Sequence, residues 1–251
     1  MLKRLLFFIL TGSMCITSTL AQEKQKKAFR PDIPGTFLID FGFNSTQNTP
    51  ANFVQGGWGS RTLNLYYHYP IRVFNSKFTF NPGAGFSFER FKLTNNYTLA
   101  STPTNGAYLL VQAPTVLQTN GFPPAIDKSM IVANYFDLMP VEIRFNNNPK
   151  DPARGVNVAV GARVGLLLES HTKINYSVEG QSVTYKDKQT HGLNPFRYGL
   201  YTRVGLGNFN FFWFYNFSPY FASGKGPYNS GLDQTSTTMN TMTFGISLNG
   251  F

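Results

Sequence analysis

Glu169, Ser170 and His171 stand side by side, and a carboxylate, a hydroxyl and an imidazole are the groups from which hydrolases build a nucleophile. Their adjacency argues against that use. Neighbouring residues on a strand point to opposite faces, so Ser170 would face away from Glu169 and His171 unless the chain bends there. His68 has no neighbouring histidine with which to hold a metal, and His191 lies in loop sequence. Cys15 is the only cysteine and falls in the N-terminal leader, so no disulfide or cysteine-based metal site is expected in the mature chain. No phosphate-binding loop or nucleotide fingerprint is present. The expectation is a protein that is not an enzyme, with no catalytic residue, metal or cofactor.

A different set of charged residues is more informative. Asp40, His68, Glu89, Glu142, Arg144, Arg163, Arg197 and Arg203 each sit in a run where every second residue is apolar, and each falls on the other parity. They are therefore expected on the polar face of strands. In Phe78–Phe88 the apolar face is Phe78, Phe80, Pro82, Ala84, Phe86 and Phe88, against Thr79, Asn81, Gly83, Gly85 and Ser87. About ten residues is what a tilted strand needs to cross a bilayer.

Eight such segments are expected: Gly35–Asn44, Gly59–Ile71, Phe78–Phe91, Tyr135–Phe145, Gly155–Leu168, Phe196–Leu206, Phe209–Phe217 and Met239–Phe251. In the fourth, Met139, Val141, Ile143 and Phe145 are placed outward, with Glu142 and Arg144 inward. In the fifth, Val156 to Leu168 alternate outward around an inward Arg163, and the Gly161, Gly165 pair relieves crowding inside. Phe209–Phe217 is aromatic on both faces. The connections alternate long and short, the short ones being Arg72–Lys77, Asn146–Arg154 and the hairpin dipeptide Gly207-Asn208. That alternation is the layout of an outer-membrane barrel, with short periplasmic turns and long extracellular loops. The expected fold is all-β, a transmembrane antiparallel up-and-down β-barrel. A closed barrel is also the one sheet that lipid tolerates, because it leaves no unpaired edge. Tyr66, Tyr67, Tyr69, Tyr135 and Tyr215 fall near strand ends, where an interfacial girdle would sit.

Residues 1–21 read as a signal peptide, with Lys3 and Arg4 before the apolar Leu5–Leu10 and a small-residue cleavage site at Thr19-Leu20-Ala21. Residues 22–34 read as a periplasmic tail and 35–251 as the barrel domain. The chain is 16% aromatic but only 14% charged, poorer in charge than the quarter or so usual for soluble domains. Its formal charge of +10 comes from scattered residues with no nucleic-acid motif, which excludes that partner and suits contact with acidic headgroups. Outer-membrane lipid and lipopolysaccharide are the expected surroundings. Envelope proteins are candidate partners through loops 92–134 and 169–195. Within the first loop, the apolar Ala107–Leu117 could cap the mouth, meet a partner or extend a strand. Ile174–Val178 and Val183–Lys186 flank Glu179-Gly180 and read as a hairpin above the membrane.

The run Tyr135-Phe136-Asp137-Leu138-Met139-Pro140-Val141-Glu142-Ile143-Arg144-Phe145, and the Gly155–Gly165 strand after it, resemble the PorT-like outer-membrane β-barrel family of Bacteroidota. That resemblance implies the barrel fold and a role without transferable catalytic residues; some members serve type IX secretion and gliding. Eight strands enclose a lumen that side chains fill, so its charges must pair. Glu142 and Glu89 are expected to pair with Arg144, Arg163, Arg197 or Arg203 across neighbouring strands. The function expected is structural or interactive, through the loops, as an accessory of secretion or surface assembly. The alternative is a small pore or transporter for polar or amphipathic solutes.

Overall fold

A computed structural model describes residues 35–101, 107–117, 124–151, 154–228 and 238–250. The expected signal peptide, the tail and Phe251 lie outside the described residues. In chain order the strands are β1 (Thr36–Gln47), β2 (Arg61–His68), β3 (Ile71–Arg72), β4 (Phe78–Phe80), β5 (Gly83–Leu93), β6 (Tyr97–Ser101) and β7 (Tyr108–Gln112). A single helical turn follows, α1 (Ala113–Val116). Then come β8 (Ala125–Asn146), β9 (Val156–Val178), β10 (Gln181–Asp187), β11 (Phe196–Leu206), β12 (Phe209–Asn216) and β13 (Asn240–Asn249).

Eight of these close a barrel in the order β1-β2-β5-β8-β9-β11-β12-β13 and back to β1, each pair antiparallel. The two-residue period decides which face each side chain takes. Phe37, Leu65, Phe86, Ile143, Val160, Leu200, Trp213 and Phe244 lie on the outer wall, exposed as a lipid-facing band must be. The third expected strand is interrupted into β4 and β5 at Asn81-Pro82, because proline has no N–H to give the ladder. Pairing nonetheless runs through the break, with Asn81 N–H donating to the Glu142 carbonyl at 2.8 Å.

The fourth strand departs from simple alternation. Leu138 pairs with Val164 and Val141 with Ala162, so Met139 and Pro140 together oppose one residue of β9. This bulge puts Pro140 and Val141 outward in succession and reverses the parity upstream. Met139, expected outward, is fully buried in the lumen, and Asp137 is buried beside it. Tyr135, expected in the girdle, also faces inward, and Tyr66 faces inward as its parity with Asn64 and His68 in β2 requires.

Above the band, β8 and β9 are far longer than expected and carry the hairpin to β10. Its two-residue turn, Glu179-Gly180, has φ of +51° and +78°, a backbone that glycine adopts freely and that matches strand twist. Among the described residues of the connection between β5 and β8, β6 and β7 form a separate two-stranded sheet that is not part of the barrel wall.

Candidate functional site

The lumen is filled in three levels. At the periplasmic end Glu142 is the hub. Its Oε1 accepts from Arg144 Nη2 at 2.8 Å and from Asn81 Nδ2 at 3.1 Å. Its Oε2 accepts from Arg203 Nη1 at 2.8 Å and from the Tyr201 hydroxyl at 2.9 Å, with His68 Nδ1 3.5 Å away. Arg203 spans onward to Asp40 Oδ2 at 3.0 Å.

Halfway up, Asp137 is the second hub. Arg197 grips it as a fork, with Nη2 2.7 Å from Oδ2 and Nε 3.1 Å from Oδ1. The Tyr66 hydroxyl donates to Asp137 Oδ2 at 2.7 Å, and Arg163 lies 3.6 Å from the same oxygen. Arg197 also donates to Glu89, and Arg163 to the Tyr66 hydroxyl oxygen. Aromatic rings cover the guanidiniums: Arg163 lies 3.3 Å over Phe214 and Arg197 3.8 Å over Tyr135. Gly165 is glycine because a Cβ there would sit 2.2 Å from Asp137 Oδ1. Gly161 likewise leaves room for the Tyr201 ring.

The third level closes the outer mouth. Phe53, Leu99, Tyr108, Leu110, Leu193, Tyr220 and Phe221, drawn from all four long connections, pack on Phe91, Ile131 and Tyr135. Of Ala107–Leu117, Tyr108 and Leu110 join this cap, while Ala113 and Leu117 pack on Ile174 of β9.

All eight charged residues singled out in the sequence lie on the lumen side, with Arg144 the least buried. Glu142 pairs with Arg144 and Arg203 and Glu89 with Arg197, within the expected set of partners, but the strands that supply them are not the expected neighbours. Arg203 on β11 reaches Asp40 on β1, and Arg197 on β11 reaches Glu89 on β5, across the lumen rather than between adjacent strands. Arg144 pairs with Glu142 along its own strand. A barrel this narrow lets one arginine span it. Asp137 was missed by parity; the signal that could have found it was Pro140, which inside a strand implies a bulge. Among the described residues, the four carboxylates Asp40, Glu89, Asp137 and Glu142 face the four guanidiniums of Arg144, Arg163, Arg197 and Arg203, so their charges balance in the lumen.

Below Glu142 a cup of about 200 Å³ opens at the periplasmic mouth, bordered by Arg72, Lys77 and Arg144. At the outer end His171 Nδ1 lies 3.2 Å from Glu169, while Ser170 points the other way and donates to the Gln189 carbonyl at 2.6 Å. No hydrolytic triad assembles from these three. Among the described residues no cluster of three His, Cys, Asp or Glu could hold a metal.

No curated protein matches this sequence. Among solved structures, the chain is similar to Ail, the attachment invasion locus protein of Yersinia pestis, at 15% identity and TM-score 0.36, covering 86% of this chain and 97% of that one. It is similar to Neisserial surface protein A at 9% identity and TM-score 0.35, covering 86% and 96%. A family model described as an outer membrane protein beta-barrel domain matches residues 21–223, most of the chain, and the protein belongs to that family.

Proposed function

We propose that this is a non-catalytic barrel of the Gram-negative outer membrane, exported by its N-terminal segment, that acts as a structural or interaction protein through its outer loops. The filled lumen carries this reading. Two ion clusters and an aromatic cap stand in series along the axis, so a solute has no open path and the outer surfaces are left to do the work. The β9–β10 hairpin and the loops 92–134 and 169–195 are the surfaces offered to envelope proteins. The resemblance of Tyr135–Phe145 to PorT-like barrels makes an accessory of secretion or surface assembly the specific form of the reading. The periplasmic cup favours a second reading, a small pore in which the Glu142 cluster gates the lumen.

A photo-crosslinking residue placed at Thr190, in the exposed loop beyond the hairpin, tests the interaction role in intact cells. The expected result is a discrete protein adduct that disappears when residues 174–187 are shortened to a tight turn. Adducts with lipid alone would contradict it.

A further inference from the structure

The outer wall carries a concentration of positive charge that the sequence scatters and the register assembles. Arg61 on β2 stands directly opposite Arg90 on β5, and Arg90 continues the same row to Val132 on β8 and His171 on β9. One row further out, Lys92 on β5 is followed by Met130 on β8, Lys173 on β9 and Lys186 on β10. Arg61 with Arg90 and Lys173 with Lys186 are thus like charges in directly opposed cross-strand positions, an arrangement that destabilises a sheet unless an anion lies between them.

Among the described residues, no carboxylate lies within ion-pair distance of Arg61, Arg90, Lys92, Lys173 or Lys186. The contrast with the lumen, where every arginine has its carboxylate, is sharp. Glu169 is engaged by His171 and by Lys188 at 3.6 Å, and Glu89 is held on the lumen side by Arg197. Arg90 Nε is shut off from solvent without an acceptor. The two rows border a cleft of about 440 Å³ whose floor is Phe41, Leu63 and Phe88 of the lipid-facing band.

A surface that is apolar below and cationic immediately above, at the long-loop edge of the band, matches one occupant: a lipid with acyl chains and a phosphorylated headgroup. We propose that this wall is a docking site for a phosphorylated glycolipid of the outer leaflet. Its phosphate lies between the two cationic rows, and its chains lie along Phe41, Leu63 and Phe88. Clusters of this many cations at a membrane surface recognise anionic headgroups. The proposal does not depend on whether the lumen conducts.

The test is lipid binding by the full barrel in phosphatidylcholine nanodiscs doped with diphosphorylated lipid A, against the same discs doped with its dephosphorylated form. Wild type should retain the phosphorylated lipid and not the other. The variant R90Q/K173Q/K186Q should lose about a hundredfold in affinity, while R72Q/K77Q/K150Q at the periplasmic turns changes nothing. K186Q alone, on the peripheral β10, covers the case that the triple variant does not fold, with an expected loss of about fivefold. Equal binding of the two lipids, wild-type affinity in the cleft variants, or displacement of the lipid by inorganic phosphate would overturn the proposal.

Discussion

Asp137 is the residue on which the upper half of the lumen depends. It pairs with both Arg197, which Glu89 shares, and Arg163, and it accepts the Tyr66 hydroxyl; all of these are buried. Removing one partner of a buried ion pair strands the other, so Asp137→Asn should cost about 3–5 kcal/mol, read as a shift in urea unfolding of the micelle-folded barrel. Asp151→Asn, at an exposed turn, should change stability by no more than ~0.5 kcal/mol. Equal effects would refute the role given to Asp137. His191 makes a second prediction, in the outer loops. Its Nδ1 is 2.7 Å from the Gln189 carbonyl and its Nε2 3.4 Å from Asp187, and burial holds its pKa below the ordinary imidazole value despite Asp187. The folded loops therefore bind fewer protons than the unfolded chain, and their stability rises with pH. That contribution is complete above about pH 6.5 and drains away as pH falls below it toward the lowered folded value. Limited proteolysis of the loop should accelerate on acidification in wild type and lose that dependence in His191→Gln. The lumen charges were legible residue by residue because strand parity sorts them. Asp137 was not, since one extra residue at Met139-Pro140 inverts the count upstream of it.

At the level of elements, the bulge and the cap do what alternation alone does not. The bulge lets one strand present Glu142 and Asp137 to the same lumen although they are an odd number of residues apart. Deleting Pro140 would remove the extra residue and leave plain alternation with Asp137 and Glu142 both still inward, whereas deleting Ile143, outside the bulge, would turn Glu142 toward the lipid under the same alternation. The Pro140 deletion and Pro140→Val should both give the heat-modifiable gel band of a folded barrel, and the Ile143 deletion should not. Normal folding of the Ile143 deletion would contradict this register. Phe53, Leu99, Tyr220 and Phe221 sit in connections with no period, so nothing local announces that they meet over the mouth. The barrel strands were readable because a lipid outside and a polar lumen inside impose a period of two on each of them. The extension of β8 above the band, free of the lipid constraint, carried a weaker pattern and read as loop, whereas Ile174–Val178 at the end of β9 and Val183–Lys186 in β10 were legible as a hairpin.

At the scale of the whole molecule, two regions divide the charge. The lumen is balanced, so the formal excess of +10 belongs to the rest of the chain, and part of it gathers on the wall of β2, β5, β8, β9 and β10. A neutral, cross-linked interior suits a barrel that must not leak. Glu142→Gln should loosen that interior, lowering the urea midpoint, without opening a path, because the Asp137 level and the cap remain above it. Two ion clusters and the cap close the lumen. Single-channel recording of the purified, refolded protein in a planar bilayer tests that closure most directly. Protein whose insertion is established by protease protection should give no discrete conductance steps, in wild type and in Glu142→Gln alike. Stable, reproducible steps from wild type would contradict the account and would make Glu142, Arg144 and Arg203 the lining of a pore.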